Sequence, residues 1–293
     1  MLSRLRCFWL ARIIGALLVA AVLASCSAVK LAYNNLPELS YWWLDSYLDF
    51  DGAQMPRVRD ELASLLAWHR RSELPKITAL LREAQALAPG DITPRQVCDF
   101  VDRIRERLLV VAVQAEGPGT ELALSLSPAQ VDQLDHKYAK NNAEYRKEWL
   151  ERAPARWKER RYERFLDRHE DFYGPLDAAQ RELLKRQVAQ SVFDPRALDR
   201  ERRARQQEAL ALLRGFQSRR PPPAEARAAI HAYVQRVADP PPGPWREQQQ
   251  ALQEEGCRHL AALHNSTTPR QREQAVRRLQ AYERDLGDLA AAL

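Results

Sequence analysis

The sequence predicts an all-α protein, a multi-helix bundle of about eight to ten helices with kinked long helices. After roughly the first thirty residues, apolar residues recur at the spacing of a helix face, and the alternating pattern of strands is almost absent. The chain is rich in Ala, Leu, Arg, Glu and Gln, which are good helix formers, and has only 10 glycines in 293 residues. Prolines stand mainly where helices are predicted to begin, whereas Pro75 and Pro154 interrupt longer periodic runs and predict kinks or breaks.

The first residues have the pattern of a secretory signal peptide. Three arginines, Arg4, Arg6 and Arg12, accompany an apolar run from Ile13 to Ala24. This run is shorter than the roughly 20 apolar residues that a transmembrane helix needs. We therefore expect residues 1–25 to be a signal peptide that is removed, with an uncleaved N-terminal anchor as the alternative.

The apolar run ends in Leu23-Ala24-Ser25-Cys26, which resembles a bacterial lipobox. In a lipobox the cysteine becomes the lipidated first residue, so the resemblance implies a covalent lipid, such as palmitate, at Cys26. An ordinary cleavage site with an incidental cysteine is the other interpretation. By the same resemblance, Ser27 favours the periplasm-facing side of the outer membrane of a Gram-negative bacterium. A lipoprotein anchor with several acyl chains would be stable, because one chain alone binds a membrane only marginally.

Residues 26–293 are predicted to form a single all-helical envelope domain. Two proline-rich breaks, near 221–223 and 240–244, enclose a predicted helix and suggest spacers between C-terminal helices rather than a hinge between domains. The formal net charge is +6, and loss of the three arginines of residues 1–25, which contain no acid, leaves +3. A charge so near neutrality, together with a periplasmic location, argues against nucleic acid as a partner.

Two cysteines remain once Cys7 is cleaved off and Cys26 is acylated, namely Cys98 and Cys257. Each lies at the edge of an apolar helical stripe, and the periplasm is a compartment in which disulfides form and persist. Two such thiols can meet where their helices pack side by side, which predicts a disulfide between Cys98 and Cys257. Two buried free thiols are the alternative.

A short phrase recurs at predicted helix starts: a Ser, Thr or Asp is followed three residues later by Gln. The first side chain can accept a hydrogen bond from the Gln backbone, and the Gln side chain can reach back to the cap, which makes a capping box. The Leu-Ser/Thr-x-x-Gln form also resembles the repeated motif of small periplasmic helical chaperones of the Spy and CpxP type. Capping alone explains every residue of the phrase, so both interpretations stay open. The copies begin at Thr93, Ser127, Asp177 and Thr268.

The stretch YWWLDSYLDFDGAQ, residues 41–54, combines aromatic and acidic side chains. In a helix from Leu36 to Phe50, capped by Asn35, the apolar residues form two stripes about half a turn apart. A helix that is apolar on two sides belongs inside a bundle, so we expect neighbouring helices to cover both stripes. The first stripe comprises Leu36, Leu39, Trp43, Tyr47 and Phe50, and the second comprises Tyr41, Leu44 and Leu48.

Between these stripes lies an acidic seam, formed by Glu38, Trp42, Asp45 and Asp49. Buried carboxylates are costly unless they are paired, so the seam requires cationic or hydrogen-bonding partners, and arginines of the next helix are the nearest cations. If the seam instead lines a cleft, it would hold a cationic or peptide ligand. The candidate binding residues are Glu38, Tyr41, Trp42, Asp45 and Asp49, and the candidate ion-pair partners are Arg57, Arg59, Arg70 and Arg71.

Several stretches are similar to an uncharacterised family of proteobacterial lipoproteins, a domain of unknown function. The resemblance implies an anchored, helical cell-envelope protein, and it brings no catalytic residues. The stretches are LAYNNL at 31–36, YWWLD at 41–45 with Tyr47, DFD at 49–51 with Gln54, AWHR at 67–70, ELP at 73–75 and LHNSTTP at 263–269.

The chain contains no motif of a known chemistry. Its six histidines are scattered without a His-Glu-x-x-His spacing, and neither a Gly-rich phosphate loop nor a Gly-x-Ser-x-Gly turn occurs. We therefore expect no metal, no cofactor apart from the lipid at Cys26, no catalytic residue and no enzyme activity.

The expected function is that of a lipid-anchored envelope protein that binds other envelope proteins or unfolded chains, as a chaperone or scaffold does. Its membrane contact is the lipid at Cys26. The alternative is an envelope enzyme or small-ligand binder that uses the acidic aromatic seam around Trp42, Asp45 and Asp49.

Overall fold

A computed structural model of the protein describes residues 29–292, so the predicted signal peptide and Cys26 lie outside the described residues. Within these residues the regular elements are helices and no strand occurs, which confirms the all-α prediction. From residue 36 onward the chain forms twelve α-helices, more than the eight to ten expected. They are α1 (Leu36–Leu48), α2 (Gln54–Ser72), α3 (Leu74–Leu87), α4 (Pro94–Gln114), α5 (Glu116–Ser125), α6 (Pro128–Tyr145), α7 (Pro154–Tyr173), α8 (Ala178–Gln190), α9 (Pro195–Arg219), α10 (Pro223–Ala238), α11 (Pro244–Asn265) and α12 (Pro269–Ala291).

The additional helices arise where long periodic runs break instead of bending. Pro75 stands in the first turn of α3, and Pro154 is the first residue of α7. Before α7 the chain makes a π-helical turn, Arg146–Leu150. Proline lacks an amide hydrogen but fits the first turn of a helix, where that hydrogen has no intrahelical partner. Both prolines therefore mark helix starts rather than kinks.

The last helix closes the bundle against the beginning of the described chain. Helix α12 packs along α3 and also contacts α2 and α7. Leu289 of α12 and Leu74 of α3 form a buried apolar cluster with Tyr33. Lys30 pairs with Asp288 of α12. The residues that follow the predicted anchor are thus held by the C-terminal helix.

Two larger apolar clusters join eight of the helices. The first joins α1, α2, α6 and α9 and includes Tyr41 and Val131. The second joins α7, α8, α11 and α12 and includes Tyr173 and Leu263. Full burial of each large apolar side chain contributes about 1.5–3 kcal/mol to folding, so these clusters are the main source of stability.

Cys98 of α4 and Cys257 of α11 are joined by a disulfide, as predicted, with their Cα atoms 5.5 Å apart. Helices α4 and α11 pack against each other, and Val97 and Ala261 are buried beside the bridge. The two cysteines are 159 residues apart, and closing so long a loop stabilises by about 5 kcal/mol in the chain-entropy model.

All four predicted capping boxes are present, at the starts of α4, α6, α8 and α12. In each box the cap side chain accepts from the Gln backbone, and the Gln side chain accepts from the backbone of the cap. A fifth box, absent from the sequence prediction, starts α2. There Asp51 Oδ1 accepts from the backbone N–H of Gln54 at 2.9 Å, and the Asp51 N–H donates to Gln54 Oε1 at 3.2 Å.

Four of these five boxes join in pairs through their glutamines, and we call each pair a glutamine clasp. In the first clasp, Gln130 Nε2 donates to Gln54 Oε1 at 2.6 Å, and Gln54 Nε2 donates to Gln130 Oε1 at 3.3 Å. In the second clasp, Gln180 and Gln271 exchange the same two bonds at 2.8 and 3.0 Å. The first clasp ties α2 to α6, and the second ties α8 to α12.

The two clasps repeat one geometry down to their backbone contacts. Every clasp amide also donates to the carbonyl that lies two residues before the partner's cap. Because each glutamine serves its own helix start and that of its partner, a clasp fixes two helix ends relative to each other. The acceptors are Ser125 for Gln54, Asp49 for Gln130, Ser266 for Gln180 and Pro175 for Gln271.

Candidate functional site

Helix α1 carries the residues that the sequence predicts to bind a ligand, and it packs against α2 and α6. Its second stripe is covered as expected, since Tyr41 is 2% exposed and Leu48 is 9% exposed. The guanidinium carbon of Arg59 lies 3.9 Å from the centre of the Tyr41 ring, which is a cation–π contact. This side of α1 is part of the bundle core.

The prediction that both stripes of α1 are covered is wrong for most of the first stripe. Leu39 is 55% exposed, Trp43 is 60% exposed, and Trp42 beside them is 61% exposed. The neighbours of α1 lie on the side of the second stripe, and the described residues leave the opposite side open. Tyr47 is half-buried, and Phe50 is buried because α1 ends before it. We define the α1 outer face as four exposed residues of α1 together with the exposed Leu31 that precedes the helix: Leu31, Leu36, Leu39, Trp42 and Trp43.

Two of the three acids of the seam have separate structural partners. Glu38 pairs with Arg59 at 3.2 Å, as the sequence suggested. Asp45 accepts from the backbone N–H of Phe50 at 3.0 Å, which helps to end α1. Asp49 ends the helix in a left-handed conformation, with φ of 49°, and its side chain points to no arginine within ion-pair distance among the described residues.

Two other arginines that were expected to close the seam bind elsewhere. Arg57 pairs with Glu121, and Arg70 donates to Asn34 at 2.5 Å. The cavity next to α1, of about 470 Å³, lies between α2 and α5 and reaches Leu44 instead of the seam. A ligand-binding role for Glu38, Tyr41, Trp42, Asp45 and Asp49 stays a prediction.

A large open groove of about 1220 Å³ lies between α4, α9, α10 and α11, and we call it the α4–α11 groove. Leu108 of α4 is 64% exposed within it, and Leu260 of α11 is 36% exposed. Cys257 of the disulfide lies in its wall. Other apolar lining residues include Val101, Val234, Val237, Trp245 and Leu252.

Hydrogen bonds from α4 to α11 and from α4 to the end of α10 connect the helices that line the groove. Arg105 of α4 donates to Gln253 Oε1 on α11 at 2.7 Å and to the Ala238 carbonyl of α10 at 3.0 Å. At one end, Trp245 Nε1 and Arg205 Nη2 are buried and have no hydrogen-bond partner among the described residues.

A smaller cavity of about 340 Å³, between α7, α8 and α11, gathers several ionisable groups. Burial lowers the pKa of His169 to about 4, and burial also lowers the pKa of His259 and of Arg161. Glu255 is buried and accepts from Ser191 Oγ at 2.5 Å. Both imidazoles are therefore neutral at physiological pH, and protonating them opposes folding.

Sequence reasoning missed both the groove and the histidine cavity, because each is formed by helices far apart in the chain. Within residues 29–292, no cluster of three or more His, Cys, Asp or Glu side chains is arranged to bind a metal. In the same part of the chain, no helix combines the length and the apolar character needed to cross a membrane.

Comparison with known proteins gives one match. No curated protein and no solved structure matches the chain. A model described as a family of unknown function, DUF6279, matches residues 46–222, which is more than half of the 293 residues. The matched range extends from the last turn of α1 to just beyond the end of α9 and includes the first glutamine clasp. The chain therefore belongs to this family of unknown function, DUF6279.

Proposed function

We propose that this protein is a lipid-anchored, non-enzymatic protein of the cell envelope that binds apolar segments of other envelope proteins or of unfolded chains in the α4–α11 groove. The anchor is supported by the signal-like residues 1–25 and by Cys26 after them. One observation carries the binding role: a groove of about 1220 Å³ with mostly apolar walls, in which Leu108 is exposed to solvent. Contiguous apolar surface of this kind marks interaction sites, because leaving it in water is unfavourable.

The size of the groove favours a polypeptide over a small molecule. Pockets for small ligands occupy roughly 300–1,000 Å³ and enclose most of the ligand. The α4–α11 groove is larger and open along its length. A segment with one apolar side would bury that side against Leu108 and Val234, while its polar side stays in water.

Photo-crosslinking in intact cells tests the binding role. A benzophenone amino acid at Leu260, inside the groove, is expected to form adducts with other proteins. Leu108→Asp places a charge in the groove and should lower the adduct yield about tenfold or more, because burial of a leucine is worth about 1.5–3 kcal/mol. Ile104→Asp is the matched control, since Ile104 is an exposed apolar residue of the same helix that does not line the groove.

Two outcomes would remove the proposed binding role: no protein adduct from position 260, or an equal loss with Leu108→Asp and Ile104→Asp. A holdase assay with an unfolded substrate, run on the same variants, reports whether unfolded chains are among the ligands. The anchor is tested separately by incorporation of radiolabelled palmitate, which is expected in the natural chain and absent in Cys26→Ser.

A further inference from the structure

We propose that the α1 outer face lies on the bilayer surface, so that α1 is an interfacial helix that orients the bundle on the membrane. This inference rests on the lipid anchor of the proposed function and adds a second membrane contact to it. All five residues of the face, Leu31, Leu36, Leu39, Trp42 and Trp43, are at least 40% exposed. Four of them lie on one side of α1 and Leu31 precedes the helix; exposed apolar side chains in such number need a cover, and a bilayer provides it.

The distance along the chain favours the bilayer as that cover. Only four residues separate Cys26 from Leu31. Even a fully extended chain therefore places Leu31 no more than about 18 Å from the lipidated residue. Helix α1 has 13 residues and is about 20 Å long. A bilayer that holds acyl chains on Cys26 is thus within reach of the whole face.

The composition of the face also fits the membrane interface. On a helix, Leu36, Leu39, Trp42 and Trp43 span an arc of about 120°, which is the width of the apolar side of an interfacial helix. Tryptophan is enriched at this depth because its ring is apolar while its N–H can bond to headgroups or water. The opposite side of α1, with Tyr41 and Leu48, is already used by the core.

Two acidic side chains beside the α1 outer face have partners within the protein, so they do not prevent contact with the bilayer, and the contact does not need anionic lipid. Glu38 is neutralised by Arg59 at 3.2 Å, and Asp45 is bonded to the Phe50 amide. No cluster of lysines or arginines belongs to the face itself. Apolar area is therefore the driving force, and we expect salt to have little effect on the contact.

The test uses the full chain, exported and lipidated in Gram-negative cells, with a benzophenone amino acid at position 42 or 43. Isolated membranes are irradiated, and adducts are identified by mass spectrometry before and after phospholipase treatment. The same amino acid at Gln207, an exposed position of α9, is the matched control. A third reporter at Leu39, which is 55% exposed, repeats the test should either tryptophan variant fail to fold.

Phospholipid adducts at positions 42 and 43 are expected to exceed those at Gln207 about tenfold and to persist at about 1 M salt. Adducts with proteins alone, or lipid adducts no more frequent than at Gln207, would overturn the inference. Palmitate incorporation is measured in the same samples. Palmitate without lipid adducts rejects the α1 contact and leaves the anchor, whereas lipid adducts without palmitate reject the anchor and leave the α1 contact.

Discussion

Gln271→Ala is expected to lower the free energy of unfolding by roughly 3–4 kcal/mol, because it removes five hydrogen bonds of a buried side chain, one of them from the Thr268 hydroxyl at 3.2 Å. The Gln271 amide donates to the Pro175 carbonyl at 2.9 Å and to Gln180 Oε1 at 3.0 Å. Its oxygen accepts from the Thr268 N–H at 2.9 Å and from Gln180 Nε2 at 2.8 Å. Gln271 is 8% exposed and Gln180 is 2% exposed, so water replaces these partners poorly.

The capping box of α4 supplies the control. Gln96 accepts from the Thr93 N–H at 2.8 Å in a solvent-exposed bond, and it belongs to no clasp. Gln96→Ala should therefore cost only about 1 kcal/mol, as the loss of an exposed cap does. Urea unfolding followed by circular dichroism gives the free energy of unfolding of both variants. An unchanged m-value would indicate that the substitution alters the stability and not the surface exposed on unfolding.

A double-mutant cycle isolates the clasp from the caps. Gln180→Ala, Gln271→Ala and the double variant should give a coupling energy of about 1–2 kcal/mol, which corresponds to the two bonds that the glutamines exchange. A coupling below about 0.5 kcal/mol, or equal costs for Gln271→Ala and Gln96→Ala, would refute the clasp as a stabilising unit.

Three further measurements check the bundle. Replacing Cys98 and Cys257 by serine should lower the free energy of unfolding by up to about 5 kcal/mol, and identical urea midpoints with and without the bridge would contradict this. Because burial lowers the pKa of His169 to about 4, the unfolded chain binds its proton more readily, so stability is full above about pH 6.5 and falls toward pH 4. His169→Gln should flatten this dependence, and parallel profiles for the two proteins would argue against it. Leu289→Ala, at a position 3% exposed, should lower the free energy of unfolding by about 2–5 kcal/mol in the same assay. A decrease below about 1 kcal/mol would show that the packing of α12 on α3 adds little stability.

Features that depend on neighbouring residues were predictable from the sequence. The helices follow from apolar spacing, and the caps at Thr93, Ser127, Asp177 and Thr268 follow from residues three apart. The disulfide was predictable because only two cysteines remained to pair in the expected compartment. The fifth cap, at Asp51, carries the same local signal, because Gln54 follows it by three residues, although it was not predicted.

Features that depend on distant contacts were not predictable. The glutamines of the two clasps lie 76 and 91 residues apart, and nothing in a capping phrase says which other phrase it meets. For α1, the spacing showed which side chains are apolar but not how many helices surround them, so the exposure of Leu39 and Trp43 was not foreseen. The α4–α11 groove is formed by residues of four helices, and no local sequence pattern indicates that these helices leave a space between them.

Because α12 packs on α3, residues near the start of the described chain are fully packed only after α12 has been synthesised. Tyr33 and Leu74 lose contact with water only when Leu289 arrives, although they emerge early in translation. A nonsense codon ahead of residue 269 would remove α12 and leave Tyr33 and Leu74 exposed, although all the preceding helices would be present. Proteases act preferentially on exposed, unpacked segments, so we expect them to cleave such truncated copies near Tyr33 and Leu74 rather than near the truncation.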